Sequence, residues 1–494
     1  MPGILLLGLG PGDPAKLTRE AWEVLSSADE IWLRTAHHPA VKGLPGHLQI
    51  HSFDSFYEQG ETFEEVYQAI VEHVLTLGQR PQGVLYAVPG DPFVAEATTT
   101  ELALRAREQR IPLRVVHGLS FLEPVFSALG VDPYPRLFLM DAIELSQRQV
   151  PAFPPDVPVL IAQIYSRLVA AEVKMTLNTV YPDEHPVYLV HAAGSPEEHT
   201  EALHLYEIDR STRIGTMTAL YVPPLGEYTS FEAFQEIVAR LRAPDGCPWD
   251  REQTHRSLRS HLLEEAYEAL DAIDAEEPAK LQEELGDLLL QIVLHAQIAF
   301  EEGDFTMANV LEQVSRKIIR RHPHVFGDAE IRDVQGVLKN WEKLKQAERT
   351  ESGQGERSAL DGVPLSLPSL LQAQEYQERA ARLGFDWPEV QGVLEKVVEE
   401  VREIQHVQND EDFANELGDL LFSLVNLARW RKVNAEFALR AANQRFRERF
   451  AYIEAVARGQ GRKLSEMTLE EMDQLWEEAK RYKPSTLFGN RQPD

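Results

Sequence analysis

The chain has 494 residues, 43% of them hydrophobic, and 79 acidic against 49 basic side chains leave a net charge of −30. That length exceeds a single hydrophobic core and points to several domains, while the acid excess argues against a nucleic acid polymer as partner, since phosphate contacts need a basic surface. The lone Cys247 precludes an internal disulfide and fits a reducing compartment, and no apolar run reaches the roughly 20 residues of a membrane span, so the expected location is the cytoplasm with no membrane partner.

Residues 1–226 alternate short β-rich runs with amphipathic stretches. Apolar runs at 4–10, 83–90, 113–118, 158–165, 186–194 and 217–224 predict buried strands, and 16–28 and 98–109 carry the helical period. This alternation predicts an α/β domain with a largely parallel sheet. The opening ILLLGLG is short and lacks a basic flank, so it is not expected to be a signal peptide. Two glycine turns follow strands, LGLGPGD at Leu7–Asp13 and VPGDPFVAEAT at Val88–Thr98. The first has the spacing GxGxG rather than GxGxxG, which argues against a classical NAD fold. Bare glycine at a strand end still lets a ligand approach the backbone, and ligands of α/β sheets bind at that edge.

Beyond Pro223–Pro224 the pattern becomes almost wholly helical, rich in Glu, Leu, Arg and Ala. ELGDLL occurs at Glu284–Leu289 and again at Glu416–Leu421. EEAYE (Glu264–Glu268) and EEVRE (Glu399–Glu403) precede the two copies. KIIRR (Lys317–Arg321) and WEKLK (Trp341–Lys345) follow the first, and RFRER (Arg445–Arg449) and WEEAK (Trp476–Lys480) the second. Landmarks recurring in one order mean two copies of one unit. A Ser/Gly/Gln-rich stretch at 349–368 reads as the linker between them. The expected domains are 1–226, 227–348 and 369–494: α/β, then all-α twice.

Residues three or four apart share a helix face. Glu400 with Glu403 and Glu416 with Asp419 are such pairs, and antiparallel packing of their helices brings four carboxylates together. Glu265, Glu268, Glu284 and Asp287 repeat the arrangement. One such pair alone is ordinarily a solvated face, but these acids stand against apolar runs and recur as a set. Converging carboxylates repel unless they are protonated or share cations, and with only oxygen donors the expected cation is Mg²⁺, or Mn²⁺ in its place. Gly286 and Gly418, each costing about 1 kcal/mol inside a helix, predict close approach of a neighbour or ligand. A di-iron bundle needs two Glu-x-x-His motifs, and only Glu403–His406 supplies one, Asp271 standing at the other place. The basic residues, paired one turn apart, suit a polyphosphate bridging metal and protein, and a tryptophan nearby suits a base.

The motif EExxE followed by ExxD, with GCPWD (Gly246–Asp250) before and RRHPHVF (Arg320–Phe326) after, resembles the MazG family of nucleoside triphosphate pyrophosphohydrolases over about residues 230–485. The resemblance implies all-α domains, a homodimer through them, and Mg²⁺-dependent cleavage of nucleoside triphosphates to monophosphate and pyrophosphate. It implies Glu400, Glu403, Glu416 and Asp419 as metal ligands, with Glu265, Glu268, Glu284 and Asp287 their first-copy counterparts. Arg445, Arg449, Trp476 and Lys480 become phosphate or nucleotide contacts, matched by Lys317, Arg321, Trp341 and Lys345. Glu399, adjacent to Glu400 but roughly 100° round the helix, is the candidate base. In two-domain members the C-terminal copy is the one associated with hydrolysis; here the first copy keeps every acid.

In the first domain GLGPGD, PGDPFVAE, HGLSFLEPVF and HAAGSPEE together resemble the tetrapyrrole methylase family, which uses S-adenosylmethionine, and the combination looks like the YabN-type bacterial fusions. That resemblance implies a two-lobed α/β domain with the cofactor between the lobes, lined by Pro11, Gly90, Asp91, Phe93, Ser120, Tyr165, Ala193 and Thr218. The competing expectation is a regulatory protein that binds nucleotide and S-adenosylmethionine with little turnover.

Overall fold

The computed structural model describes the chain except residues 1–2, 61, 332, 335, 338–339, 342–343, 345–357, 408 and 482–494. Two compact units divide it, residues 1–314 and 315–494.

The first unit opens with two sheets. Strands β1 (Ile4–Gly8), β2 (Glu30–Leu33), β3 (Gln49–Ser52), β4 (Val84–Val88) and β5 (Leu113–Val116) form a sheet in the order β3-β2-β4-β1-β5, every pair parallel. Helices α1 (Arg19–Ser27), α2 (Asp54–Gln59), α3 (Phe63–Gly78) and α4 (Ala97–Glu108) connect its strands. Both faces are covered, as a parallel sheet requires: Leu6 and Tyr86 pack with Ile70 and Val74 of α3, while Leu7 and Leu85 pack with Leu25 of α1.

After α5 (Leu122–Leu129), the strands β6 (Phe138–Asp141), β7 (Val159–Ala162), β8 (Pro186–His191), β9 (His199–His204) and β10 (Thr218–Val222) make a second sheet, ordered β6-β7-β10-β8-β9. Helices α6 (Ala142–Ser146) and α7 (Arg167–Leu177) belong to this lobe. Here only β6 and β7 run parallel; β10 is antiparallel to β7 and β8, and β8 to β9. Across the two sheets five of the eight pairings are parallel, in keeping with the expected largely parallel α/β domain, and the three antiparallel ones all lie in this lobe. For β8 and β9 the reason is their short connection, which makes a hairpin, whereas a parallel return needs a crossover of a dozen residues or more. The strands absent from the sequence reading are β2, β3, β6 and β9. Of these β3, β6 and β9 are sheet edges, where polar residues such as those of Gln49–Ser52 and His199–His204 replace the continuous apolar run.

At the C-terminal ends of β1, β4 and β5 three glycines crowd together. A Cβ on Gly8 would lie 2.5 Å from the Gly90 carbonyl oxygen and 2.6 Å from the Gly118 amide nitrogen. Only backbone is there to yield. Gly8→Ala is expected to cost about 3 kcal/mol of stability by overpacking, read as a lowered midpoint in chemical denaturation. A loss below about 1 kcal/mol would mean that the sheet edge opens freely.

Among the described residues no strand follows β10. The helices α8 (Phe231–Arg242), α9 (Pro248–Glu252), α10 (Arg259–Asp274), α11 (Pro278–Glu302) and α12 (Met307–Arg321) come next. The compact division falls within α12. In the second unit lie α13 (Pro323–Phe326), α14 (Ser369–Arg382), α15 (Val390–His406), α16 (Asp410–Trp430), α17 (Ala435–Gly459) and α18 (Leu469–Arg481). Short connections make α10–α11 and α15–α16 antiparallel hairpins. No described helix is long and apolar enough to cross a membrane.

Candidate functional site

Each helical hairpin gathers acids. On α10 and α11, carboxylate oxygens of Glu265, Glu268 and Glu284 lie within 4.8 Å of one another, and on α15 and α16 those of Glu400, Glu416 and Asp419 do. Asp287 and Glu403 stand outside these groups, so each copy brings three of its four expected acids together. Both outliers still act on the clusters through charge. Burial and then Asp287 and Glu268 push Glu265 above the ordinary carboxylate range; burial and then Glu268 raise Glu284; burial and then Glu400 and Glu416 raise Glu403.

Glu400 is only 3% exposed, and its Oε2 has no hydrogen-bond partner. Its Oε1 meets Lys396 Nζ at 2.8 Å, and the same ammonium donates to Glu399 Oε1 at 3.0 Å. These bonds, to Glu400 first and Glu399 second, raise the lysine's pKa. Lys396 was missed in the sequence, although its position one turn before Glu400 was a readable i,i+4 signal. In the first copy His261 occupies the equivalent place, its Nδ1 3.7 Å from Glu264. Gly286 and Gly418 have no protein atom within 4 Å of an added Cβ, so close approach of a neighbouring helix is not the reason for either glycine. The hairpins stay open beside their acids.

The basic residues form groups of their own. The Arg449 guanidinium lies over the Trp476 ring at 5.4 Å, Phe446 packs on the same indole at 5.2 Å, and Lys480 pairs with Glu477. Arg445, one turn before Arg449 on α17, is exposed. The first copy repeats the stack, Arg321 over Trp341 at 5.9 Å. Lys317 precedes Arg321 by one turn on α12, and Lys345 lies outside the described residues. Trp476 and Trp341 are thus each engaged by an arginine, and Trp476 by Phe446 as well.

A separate cleft of about 1150 Å³ runs between the two lobes of the α/β part. Of the residues the sequence proposed for it, Pro11, Gly90, Phe93, Tyr165, Ala193 and Thr218 are on its wall. Asp91 and Ser120 are not; both support the wall from behind. Asp91 is 8% exposed, accepts from the Phe93 amide at 2.9 Å and meets His117 Nδ1 at 2.8 Å. Ser120 Oγ donates to Glu123 at 2.6 Å and accepts from the Leu122 amide, ordering the start of α5. Gly90 takes φ +67° and exchanges backbone hydrogen bonds with Gly10. Sequence reasoning missed Arg34 and Glu96, which face each other across this wall in an ion pair that also engages the hydroxyls of Tyr57 and Tyr67. No motif marked them, since they are 62 residues apart.

Comparison with known families agrees with both halves. The family described as Tetrapyrrole (Corrin/Porphyrin) Methylases matches residues 3–209, and the MazG nucleotide pyrophosphohydrolase domain matches residues 253–326 and 389–451. The protein YabN of Bacillus subtilis (strain 168) is 42% identical over 97% of this chain and 98% of its own length. The nucleoside triphosphate pyrophosphohydrolase/pyrophosphatase MazG of Thermotoga maritima is 44% identical over 51% of this chain and 95% of its own. A solved uroporphyrin-III-C-methyltransferase from Thermus thermophilus, 22% identical, covers 45% of this chain and 95% of that one with a TM-score of 0.37.

Proposed function

Because the chain belongs to the YabN-like family, in which a tetrapyrrole methylase domain is joined to MazG nucleotide pyrophosphohydrolase domains, we propose that its helical half hydrolyses nucleoside triphosphates to monophosphate and pyrophosphate. The observation that carries this reading is the buried, unpartnered Oε2 of Glu400 inside a cluster of acids. An orphaned carboxylate oxygen is costly to bury and fits a hard cation, Mg²⁺ or Mn²⁺. Glu400, Glu416 and Asp419 would hold it, with Glu403 beside them, and Glu265, Glu268, Glu284 and Asp287 offer the first copy the same donors. When bound, the cation supplies neutralising charge beside the phosphate chain.

The chain's own groups do the rest. Arg445, Arg449 and Lys480 take the charge of the phosphates, and Trp476 beside Arg449 takes the base. Lys396 fixes Glu399, which accepts a proton from the attacking water. Water oxygen bonds to the α-phosphorus, and the bond from that phosphorus to the bridging oxygen breaks as pyrophosphate leaves.

In this reading the functional domains are 1–226, 227–348 and 369–494, with 349–368 as connection, and the protein is cytoplasmic. The first domain binds S-adenosylmethionine in the inter-lobe cleft as a methyltransferase. A homodimer through the helical domains is supported by large apolar side chains left uncovered on α16 and α17, Leu421, Phe422, Phe437 and Phe446 being 45–59% exposed.

The test is pyrophosphate release from a panel of nucleoside triphosphates with Mg²⁺, repeated in ¹⁸O-labelled water. Label is expected in the monophosphate; label in pyrophosphate would reject attack at the α-phosphorus, and binding without product would leave a nucleotide sensor instead. A second expectation follows from the raised carboxyls. Glu265, Glu284 and Glu403 favour the folded state below the ordinary Glu pKa, and that contribution is lost as pH rises through their raised values. Mg²⁺ should therefore raise Tm more at about pH 8 than at about pH 5. An equal increment at both pH values would separate the cation from these acids.

A further inference from the structure

The inter-lobe cleft has a charge balance that says something about its second ligand. At about 1150 Å³ it exceeds the space a single drug-sized ligand usually fills, so a methyl donor leaves room for an acceptor. Among the described residues on its wall Arg34 is the one basic group with a fixed charge. That guanidinium is already committed. Its Nη1 pairs with Glu96, its Nε donates to Tyr57 at 3.0 Å and its Nη2 to Tyr67 at 3.1 Å. Glu96 is closed from the other side, Oε1 accepting from Thr98 Oγ1 at 2.6 Å. The pair is neutral as a unit and has no spare carboxylate-binding charge.

The other charged groups on the wall are both acids, Asp141 and Glu144. Asp141 accepts two backbone amides at the start of α6, and Glu144 meets Arg148, which is not on the wall, at 2.7 Å. A carboxylate entering here finds no uncommitted cation on the wall and meets the charge of Asp141, within a protein whose overall field is already strongly negative. The remaining surface carries no charge: apolar and aromatic side chains, with Phe63 and Phe93 presenting 60% and 44% of their surface, stand beside neutral polar ones such as Gln147 and Gln163. His38 on this wall is a buried polar group with an unpartnered nitrogen, Nδ1. It is 9% exposed, and burial pushes its pKa down to about 4, so it stands as a neutral imidazole near pH 7.

We propose that the methyl acceptor of this cleft is a flat aromatic heterocycle without acidic substituents, held by Phe63 and Phe93 and hydrogen-bonded through a ring polar group by His38. The inference rests on the methyltransferase reading and narrows it: a polycarboxylate macrocycle is excluded by charge, not by size. Transfer breaks the bond from sulfur to methyl, leaving a neutral thioether, and forms the bond from acceptor to methyl, the acceptor's proton passing to water.

The test uses the full chain and two fluorescent probes with the same ring system, pyrenemethanol and pyrenetetracarboxylate. Titration in about 0.3 M salt, where the Debye length is roughly 6 Å, removes most of the distant surface field. Pyrenemethanol is expected to bind at least about tenfold tighter than the tetracarboxylate, and to do so with S-adenosylhomocysteine bound. Glu144→Lys, on the exposed rim, should narrow the gap by at least about threefold by adding a cation to the wall. Glu96→Gln should narrow it too, by releasing the charge of Arg34. Equal or tighter binding of the tetracarboxylate overturns the proposal, as does a gap unchanged in both variants, because discrimination would then lie elsewhere. Calorimetry with S-adenosylhomocysteine alone is run beside this series. Failure there removes the methyltransferase reading, while the probe ratio still reports the charge preference of the cleft.

Discussion

Glu400→Gln is expected to lower nucleoside triphosphate turnover by the second helical copy about a thousandfold, measured in a chain whose first cluster carries Glu268→Gln. The substitution keeps shape and removes one negative charge from a side chain that is 3% exposed and offers an unpartnered oxygen to the cluster. A cation held by three carboxylates loses a ligand and part of its attraction, and a loss of roughly 4 kcal/mol of transition-state stabilisation corresponds to that factor. Asp419→Asn acts on the same cluster and should produce a comparable loss. Glu399→Gln should behave differently, slowing turnover while leaving the Mg²⁺ concentration for half-activity unchanged, since its assigned part is proton transfer. Circular dichroism establishes that each variant is folded. Near-normal turnover in Glu400→Gln would take this residue out of the site altogether.

Gly90→Val is expected to weaken S-adenosylhomocysteine binding by at least about tenfold in calorimetry. A bare glycine at this strand end lets a ligand approach the backbone, and a valine side chain would stand in that path. A Cβ at Gly90 would meet nothing closer than Ser120 Cα at 3.9 Å, so space is available. A second obstacle is φ +67°, where a residue with a Cβ costs roughly 1–2 kcal/mol and a β-branched one more. Relief of that strain must move the backbone that bonds Gly10 to Gly90 at the cleft wall. Gly130→Val is the matched control: Gly130 also has φ +67° and open space around its Cβ, but caps α5 and is not among the residues lining the cleft. Both variants should lose stability, and only Gly90→Val should lose binding. Equal affinities in the two would detach Gly90 from the ligand.

Glu403 and Asp287 show where local reasoning stops. Spacing along a helix is set by the backbone's own period, so the pairs Glu400–Glu403 and Glu416–Asp419 were legible in the sequence, and repetition of the whole set marked both copies. Which acids meet depends on how far the two helices are rotated against each other. The side chains between them decide that, and they leave Glu403 and Asp287 outside their groups. Lys396 was legible by the same period as Glu400 and was overlooked because a lysine beside acids reads as an ordinary surface pair.

The α/β half divides in the same way. Buried central strands such as Val84–Val88 announce themselves by continuous apolar runs, and glycine turns announce strand ends. The sequence by itself therefore determined the class of each half, the duplication and the acidic chemistry, because these depend on interactions within a turn or a strand. Tertiary structure alone decided the direction of β8–β10 and the pairing of Arg34 with Glu96. Those two residues follow β2 and β4, and only the lateral pairing of these strands within the parallel sheet brings their side chains together. Strand order is chosen by the packing of the entire lobe, so no window of sequence contains it.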